Sequence, residues 1–259
     1  MEVNSASVAD AVARLANYEA TFKFERISLS QSGAAVEVVT GTGTSLRFGE
    51  FVRSETRVNI SRNGGEPIPA RTVTIIGEDG LTLWSDSIGV PGAIGFRQVS
   101  SDAADFRDEM KGARSTGNLV DPLDRVTGAW WGSFSSLFQP SRLAGRKQST
   151  EFAPDSGIAS TTLESKTHPE SRVVFEWLSE SLHLPTQVIA SDPTGVVVDQ
   201  LSAEYFEVAG LGVFPKRIVA TTTHSCDDDG QHCARIVETI EVLAVDPAPA
   251  ITPNTFVWQ

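Results

Sequence analysis

Alternation of apolar and polar residues, interrupted by turn signals, constrains this chain most. Phe22-Lys23-Phe24-Glu25-Arg26-Ile27 alternates like a strand, and Val36 to Val39, Ser45 to Phe48 and Phe51 to Ile60 continue in short β-branched runs. Asn63-Gly64-Gly65 is a turn signal. Thr72 to Ile76 and Leu81 to Trp84, joined by Gly77-Glu78-Asp79-Gly80, read as a hairpin. The last third repeats the pattern more regularly. Val173 to Leu178, Leu184 to Ile189, Val196 to Val208, Phe214 to Val219 and Ala234 to Val245 are strands, with Asp192-Pro193-Thr194-Gly195 as a turn. A sheet patterned this way has one face to bury, so it must curl or be covered.

Two stretches break the alternation. Ahead of the first strand, Ser7 can cap a helix with Asp10 three residues on, and Val8, Val12, Leu15 and Tyr18 recur at helical spacing. In the middle, Gly89, Pro91, Gly92 and Gly95 mark a loop, and Asp102 to Lys111 reads as a short helix with Ala103, Phe106 and Met110 on one side. Asp121-Pro122 opens a longer helix, with an acid at the cap and proline in the first turn. Its apolar residues are Leu123, Val126, Trp130, Trp131, Phe134, Leu137 and Phe138, over more than a third of the circumference, before Gln139-Pro140 ends it. Residues 141 to 168 are polar and read as a loop with an edge strand.

The expected fold is therefore mostly β with a helical insertion (α+β), in one domain spanning 1–259. Residues 1–85 form a first β half with an N-terminal helix, 86–165 the helical and loop insertion, and 166–259 a second β half. Meanders of this size curl into antiparallel barrels or half-barrels, with helices free to cover the concave face. No repeated motif points to a propeller or solenoid.

Composition narrows the function. With 40% hydrophobic and 21% charged residues the chain is globular, and a net charge of -12 repels the phosphates that a nucleic-acid binder tracks. No run approaches the roughly 20 apolar residues of a membrane-spanning helix. After Met1, Glu2-Val3-Asn4-Ser5 lacks the basic and apolar regions of a signal peptide, so either the protein is cytosolic or an export signal has been removed. The two cysteines, Cys226 and Cys233, stand at the feet of a hairpin loop, where facing residues are close enough for a disulfide. That pairing suits an oxidising compartment and a periplasmic or otherwise exported protein. The rival is zinc held by His224, Cys226, His232 and Cys233, at a spacing that matches no familiar ligand pattern.

Catalytic signatures are missing from the sequence. It has no Gly-x-Ser-x-Gly elbow, and His168, His183, His224 and His232 fall in loops or turns. Gly41-Thr42-Gly43-Thr44-Ser45 lacks the lysine of a phosphate loop and reads as a turn between strands. Asp227-Asp228-Asp229-Gly230 lacks the distal glutamate of a calcium loop and reads as a solvated tip. No cofactor or metal is called for. The constellation that stands out is apolar: Trp130, Trp131, Phe134, Leu137 and Phe138, with Trp84 on the preceding hairpin. These residues either pack as core beneath a covering helix or line a cavity for a ligand. In the second case an acyl chain gains about 0.8 kcal/mol per buried CH₂.

The order of features resembles the bacterial outer-membrane lipoprotein carrier family (LolA-like proteins, with their lipoprotein-sorting and sigma-factor-regulatory relatives). The resemblance rests on an amphipathic helix leading into Ala20-Thr21-Phe22-Lys23-Phe24, then Asp79-Gly80-Leu81-Thr82-Leu83-Trp84 and a helical insertion. It continues with Phe175-Glu176-Trp177-Leu178, Leu184-Pro185-Thr186-Gln187-Val188, Asp192-Pro193-Thr194-Gly195, Phe214-Pro215-Lys216-Arg217 and Pro253-Asn254-Thr255-Phe256. It implies an incomplete β-barrel closed by helices, no enzyme activity, and lipid or a lipidated protein as cargo in the periplasm; an envelope protein partner is the alternative. The chain departs from the carriers in its length, its hairpin cysteines and its Arg- and Ser-rich stretch at 141–150. The carriers' functional arginine is not assigned to Arg26, Arg47 or Arg53.

Overall fold

The computed structural model describes residues 17–49, 51–77, 80–86, 96–100, 143–153, 158–178, 185–226, 233–252 and 254–256. Six strands come first: β1 (Asn17–Leu29), β2 (Ala35–Phe48), β3 (Phe51–Arg62), β4 (Ile68–Gly77), β5 (Gly80–Asp86) and β6 (Phe96–Ser100). Seven follow: β7 (Arg146–Ala153), β8 (Ile158–Ser165), β9 (Arg172–Leu178), β10 (Pro185–Ser191), β11 (Val197–Val208), β12 (Gly212–Cys226) and β13 (Cys233–Asp246). β1 shows why these segments are strands. Tyr18, Ala20, Phe22 and Phe24 are buried while Glu19, Lys23 and Glu25 are exposed, the period-two signature of a sheet with one covered face.

All thirteen strands join one antiparallel sheet in the order β6-β5-β4-β3-β2-β1-β13-β12-β11-β10-β9-β8-β7. The chain starts at the middle and winds outward to β6. It re-enters at the opposite end with β7 and winds back until β13 pairs with β1. The two β halves expected from the sequence are thus arms of a single sheet, and the described strands do not close it into a barrel.

Six strand pairings contain a register shift, and all six lie between β9 and β2 by way of β13. Each leaves one residue without a counterpart: Thr186, Val198, Lys216, His224, Leu243 and Val36. Such bulges bend a strand and increase its twist. The other six pairings run without a break.

Two predicted turns form as read. Asn63 and Gly64 both have positive φ, and the Gly65 amide donates to the Arg62 carbonyl, as in a type I′ turn. At Asp192 the carboxylate accepts from the Thr194 amide (2.8 Å) and hydroxyl (2.6 Å) and the Val196 amide (3.1 Å). The predicted hairpin of β4 and β5 is present, with Gly77 opposite Gly80.

Other readings are corrected. Tyr18 lies in β1 rather than at the end of a helix, because its phase with Ala20 and Phe22 places it in the core. Gly41-Thr42-Gly43-Thr44-Ser45 is the middle of β2 and not a turn. Within 86–165, residues 96–100, 146–153 and 158–165 are strands; the edge strand read within 141–168 is β7, and β8 replaces part of the loop read beside it. The predicted helices at 7–16, 102–111 and 121–139 lie outside the described residues, as does the loop at Gly89 to Gly95.

Candidate ligand-binding face

The buried residues of neighbouring strands fall in register, and they define one inner face. A single row crosses the sheet from Thr150 through Thr161, Phe175, Val188, Leu201 and Ala220 to Glu238. It continues through Arg26, Val39 and Ile60 to Ile68. On the β8–β13 side this face is bulky and apolar. Trp177, Phe175, Phe214, Leu163 and Ile218 are fully buried there, with Phe175 and Trp177 stacked at 5.3 Å. Phe214 meets Tyr18 of β1 edge-on at 5.0 Å, across the intervening β13. The Trp177 indole keeps a partner, donating to the Thr161 hydroxyl at 3.2 Å. Leu143, just ahead of β7, is partly buried against the same core.

On the β2–β3 side the inner face is less bulky, with glycine, serine and threonine set among Val39, Val52 and Val58. Gly41 faces Val58, Gly43 faces Thr56 and Ser45 faces Ser54. A β-carbon at Gly43 would collide with the Phe22 ring and stand 2.9 Å from the Glu55 carbonyl, so the glycine makes room for Phe22. Ser54 and Thr56 are buried, and their hydroxyls have no hydrogen-bond partner among the described residues.

Between the two sides lies a charged seam that the sequence reading missed. Arg26 of β1 stands directly opposite Glu238 of β13, both buried. Arg26 donates to Glu37 Oε1 at 2.9 Å, and Arg62 donates to Glu37 Oε2 at 2.9 Å. The signal was present: Arg26 is in phase with Phe22 and Phe24, and Glu238 with Ile240 and Val242. A charge at a core phase implies a buried partner.

The outer face is different chemistry. Arg53 donates to the Thr255 carbonyl at 3.0 Å and Phe51 contacts Phe256 at 5.6 Å, which fastens the tail to β3. Under that tail is a cleft of about 340 Å³ lined by Glu19, Thr44, Leu46, Arg53, Glu55, Thr252, Asn254 and Thr255. Hydrogen bonding from Arg71 above all, and then Arg57, holds the Glu55 carboxyl below its ordinary range. Elsewhere, burial pushes the Tyr205 phenol well above its usual range while it donates to the Pro185 carbonyl at 2.7 Å.

Of the residues singled out in the sequence, Trp130, Trp131, Phe134, Leu137 and Phe138 lie outside the described residues. Trp84 is on β5, in register between Val73 and Arg97. Cys226 and Cys233 are directly opposite each other where β12 and β13 end at the hairpin. His168 and His224 are exposed, and His183 and His232 lie outside the described residues. No group of three metal-ligating side chains occurs among the described residues, and no described helix is long and apolar enough to cross a membrane.

Comparison with known proteins follows from this architecture. No family model matches the chain, and no curated protein matches it. Among solved structures it is similar to a DUF1329 family protein from Desulfovibrio piger, at 10% identity over 99% of this chain and 98% of that one, with a TM-score of 0.49. It is also similar to a LolA superfamily protein from Nitrosomonas europaea, at 11% identity over 99% of both chains, with a TM-score of 0.45. A beta-barrel-like protein of a domain of unknown function from Brucella abortus aligns at 8% identity over 90% of this chain and 98% of that one, with a TM-score of 0.31.

Proposed function

We propose that this chain is an exported, non-enzymatic carrier or sensor that holds an acyl chain, free or on a lipidated protein, inside an incomplete β-barrel. The observation that carries this reading is the bulky apolar face from β8 across to β1, buried on one side of a sheet whose described strands stay open at β6 and β7. Apolar lining of this kind binds a hydrocarbon tail without a catalytic group. The stretch between β6 and β7 leaves the sheet at one end and returns at the other. Leu143, five residues beyond Phe138, rests on the lining, so Trp130, Trp131, Phe134, Leu137 and Phe138 are within reach of it. We assign those five residues to the cover of the acyl site and leave out Trp84, whose register with Val73 and Glu55 puts it in the row of the opposite face.

The facing of Cys226 and Cys233 supports the exported part of the reading. In an envelope they would form a disulfide, their two protons and two electrons passing to a dithiol–disulfide oxidant.

Lipid extraction and native mass spectrometry of protein purified from an envelope fraction test the proposal, together with titration by a fluorescent fatty acid. Co-purifying lipid and saturable binding, both lost on Trp130→Asp and Phe134→Asp, are expected. A clean protein mass with no saturable uptake would sink the carrier reading. It would favour instead a regulatory interaction module of the envelope, a role that the exposed strand β7 also fits. Alkylation of the same sample should leave both cysteines unlabelled until reductant is added.

A further inference from the structure

Among the described strands β7 ends the sheet on one side, and Lys147 to Phe152 are exposed on both faces of it, Phe152 to 58%. An edge strand carries a row of unpaired N–H and C=O groups, and charges placed on it normally deter strangers. Here the charges are Arg146, partly buried and donating to the Leu163 carbonyl at 3.4 Å, and the exposed Lys147 and Glu151, four apart and on the same face. That spacing is self-complementary.

We propose that a second copy of this chain pairs with β7, antiparallel, about a two-fold axis through Ser149. In that register Lys147 of one copy faces Glu151 of the other, and the symmetry makes the pair twice. Arg146 faces Phe152, laying a guanidinium beside the most exposed aromatic of the strand. Gln148 faces Thr150, and Ser149 faces its own copy. Lys147 already pairs at 3.5 Å with Glu164 of β8, so each lysine would lie between two carboxylates. A slip that centres the axis between Ser149 and Thr150 sets Lys147 against Phe152 and Gln148 against Glu151, losing both ion pairs. A parallel in-register pairing sets lysine on lysine and glutamate on glutamate, which is unfavourable. The charges that repel other edges therefore select one partner and one register. Because facing residues share a side of the sheet, the inner faces of the two copies would lie on the same side of one continuous sheet.

Sedimentation equilibrium over a wide concentration range reads the association. The unaltered chain is expected to dimerise. Glu151→Lys alone, or Lys147→Glu alone, puts like charges across the axis at two places and should weaken the dimer roughly tenfold. The double exchange K147E/E151K should restore it. Ser149→Cys, in a chain whose two native cysteines are serine, should cross-link symmetrically under mild oxidation. Thermal unfolding of each variant separates a lost interface from a lost fold. A chain that stays monomeric throughout overturns the proposal. So does a dimer that ignores both single exchanges, or a Ser149→Cys chain that associates without cross-linking.

Discussion

Along β2 and β3 the inner face sets Gly41, Gly43, Ser45, Ser54 and Thr56 among Val39, Val52 and Val58, whereas along β8, β9 and β12 it carries Leu163, Phe175, Trp177, Phe214 and Ile218. Both arms use the same antiparallel pleat, yet they fill the space in opposite ways, and on β4 Val73 and Ile75 are buried on the opposite face as well. The bulky arm supplies its own volume, and its strands from β9 onward are bent by bulges in every pairing. The small arm has unbroken ladders from β2 to β6 and takes volume from a neighbour, since Phe22 of β1 lies over Gly43. The lesson is that a curved sheet conserves volume between strands rather than within each one.

The contrast can be broken at its bulky end first. Trp177→Ala removes a fully buried indole, its stacking on Phe175 and its bond to Thr161, and should cost about 3–5 kcal/mol in urea unfolding. A loss below about 1 kcal/mol would mean that this arm is loosely filled. Next comes Gly43→Ala, whose β-carbon runs into the Phe22 ring; a cost of about 1–3 kcal/mol is expected from overpacking. Phe22→Leu in the same chain should recover part of it, because the two positions share one space. The smallest effect belongs to the hydroxyls. Thr56→Val should change stability by less than about 1 kcal/mol and can raise it, since the buried oxygen lacks a described partner. A loss of about 2 kcal/mol or more would show that the hydroxyl is bonded, making the small arm a polar site rather than filler.

This contrast also explains what the sequence disclosed. Phe22 and Phe24, or Phe175 and Trp177, announce strands because large apolar residues two apart leave no other face to bury. The glycines of β2 hid their strand: Gly41 and Gly43 look like turn residues until the Phe22 ring that needs their space is placed beside them. Tyr18 fitted a helical spacing with Leu15 and a strand phase with Ala20, and the burial of β1 decided between them. β7 was legible as an edge strand but without bounds, because a strand exposed on both faces shows no alternation. Arg26 and Glu238 are more than 200 residues apart and become a pair only through the β1–β13 register. The facing of Cys226 and Cys233 across the hairpin was legible because the two positions lie close along the chain. For the predicted acyl site, the strands of the apolar face are among the described residues, and Trp130 to Phe138 lie outside them.

The pairing of β1 with β13 has a consequence for how the molecule comes into being. The strand carrying Phe22 and Phe24 is made early, yet one of its two flanks waits for residues 233–246. Until those residues are in place that flank keeps its N–H and C=O groups unpaired, the interval in which stray pairing is most dangerous. Loss of the final strand would leave two separate fans, each with a raw inner edge, rather than a slightly smaller sheet.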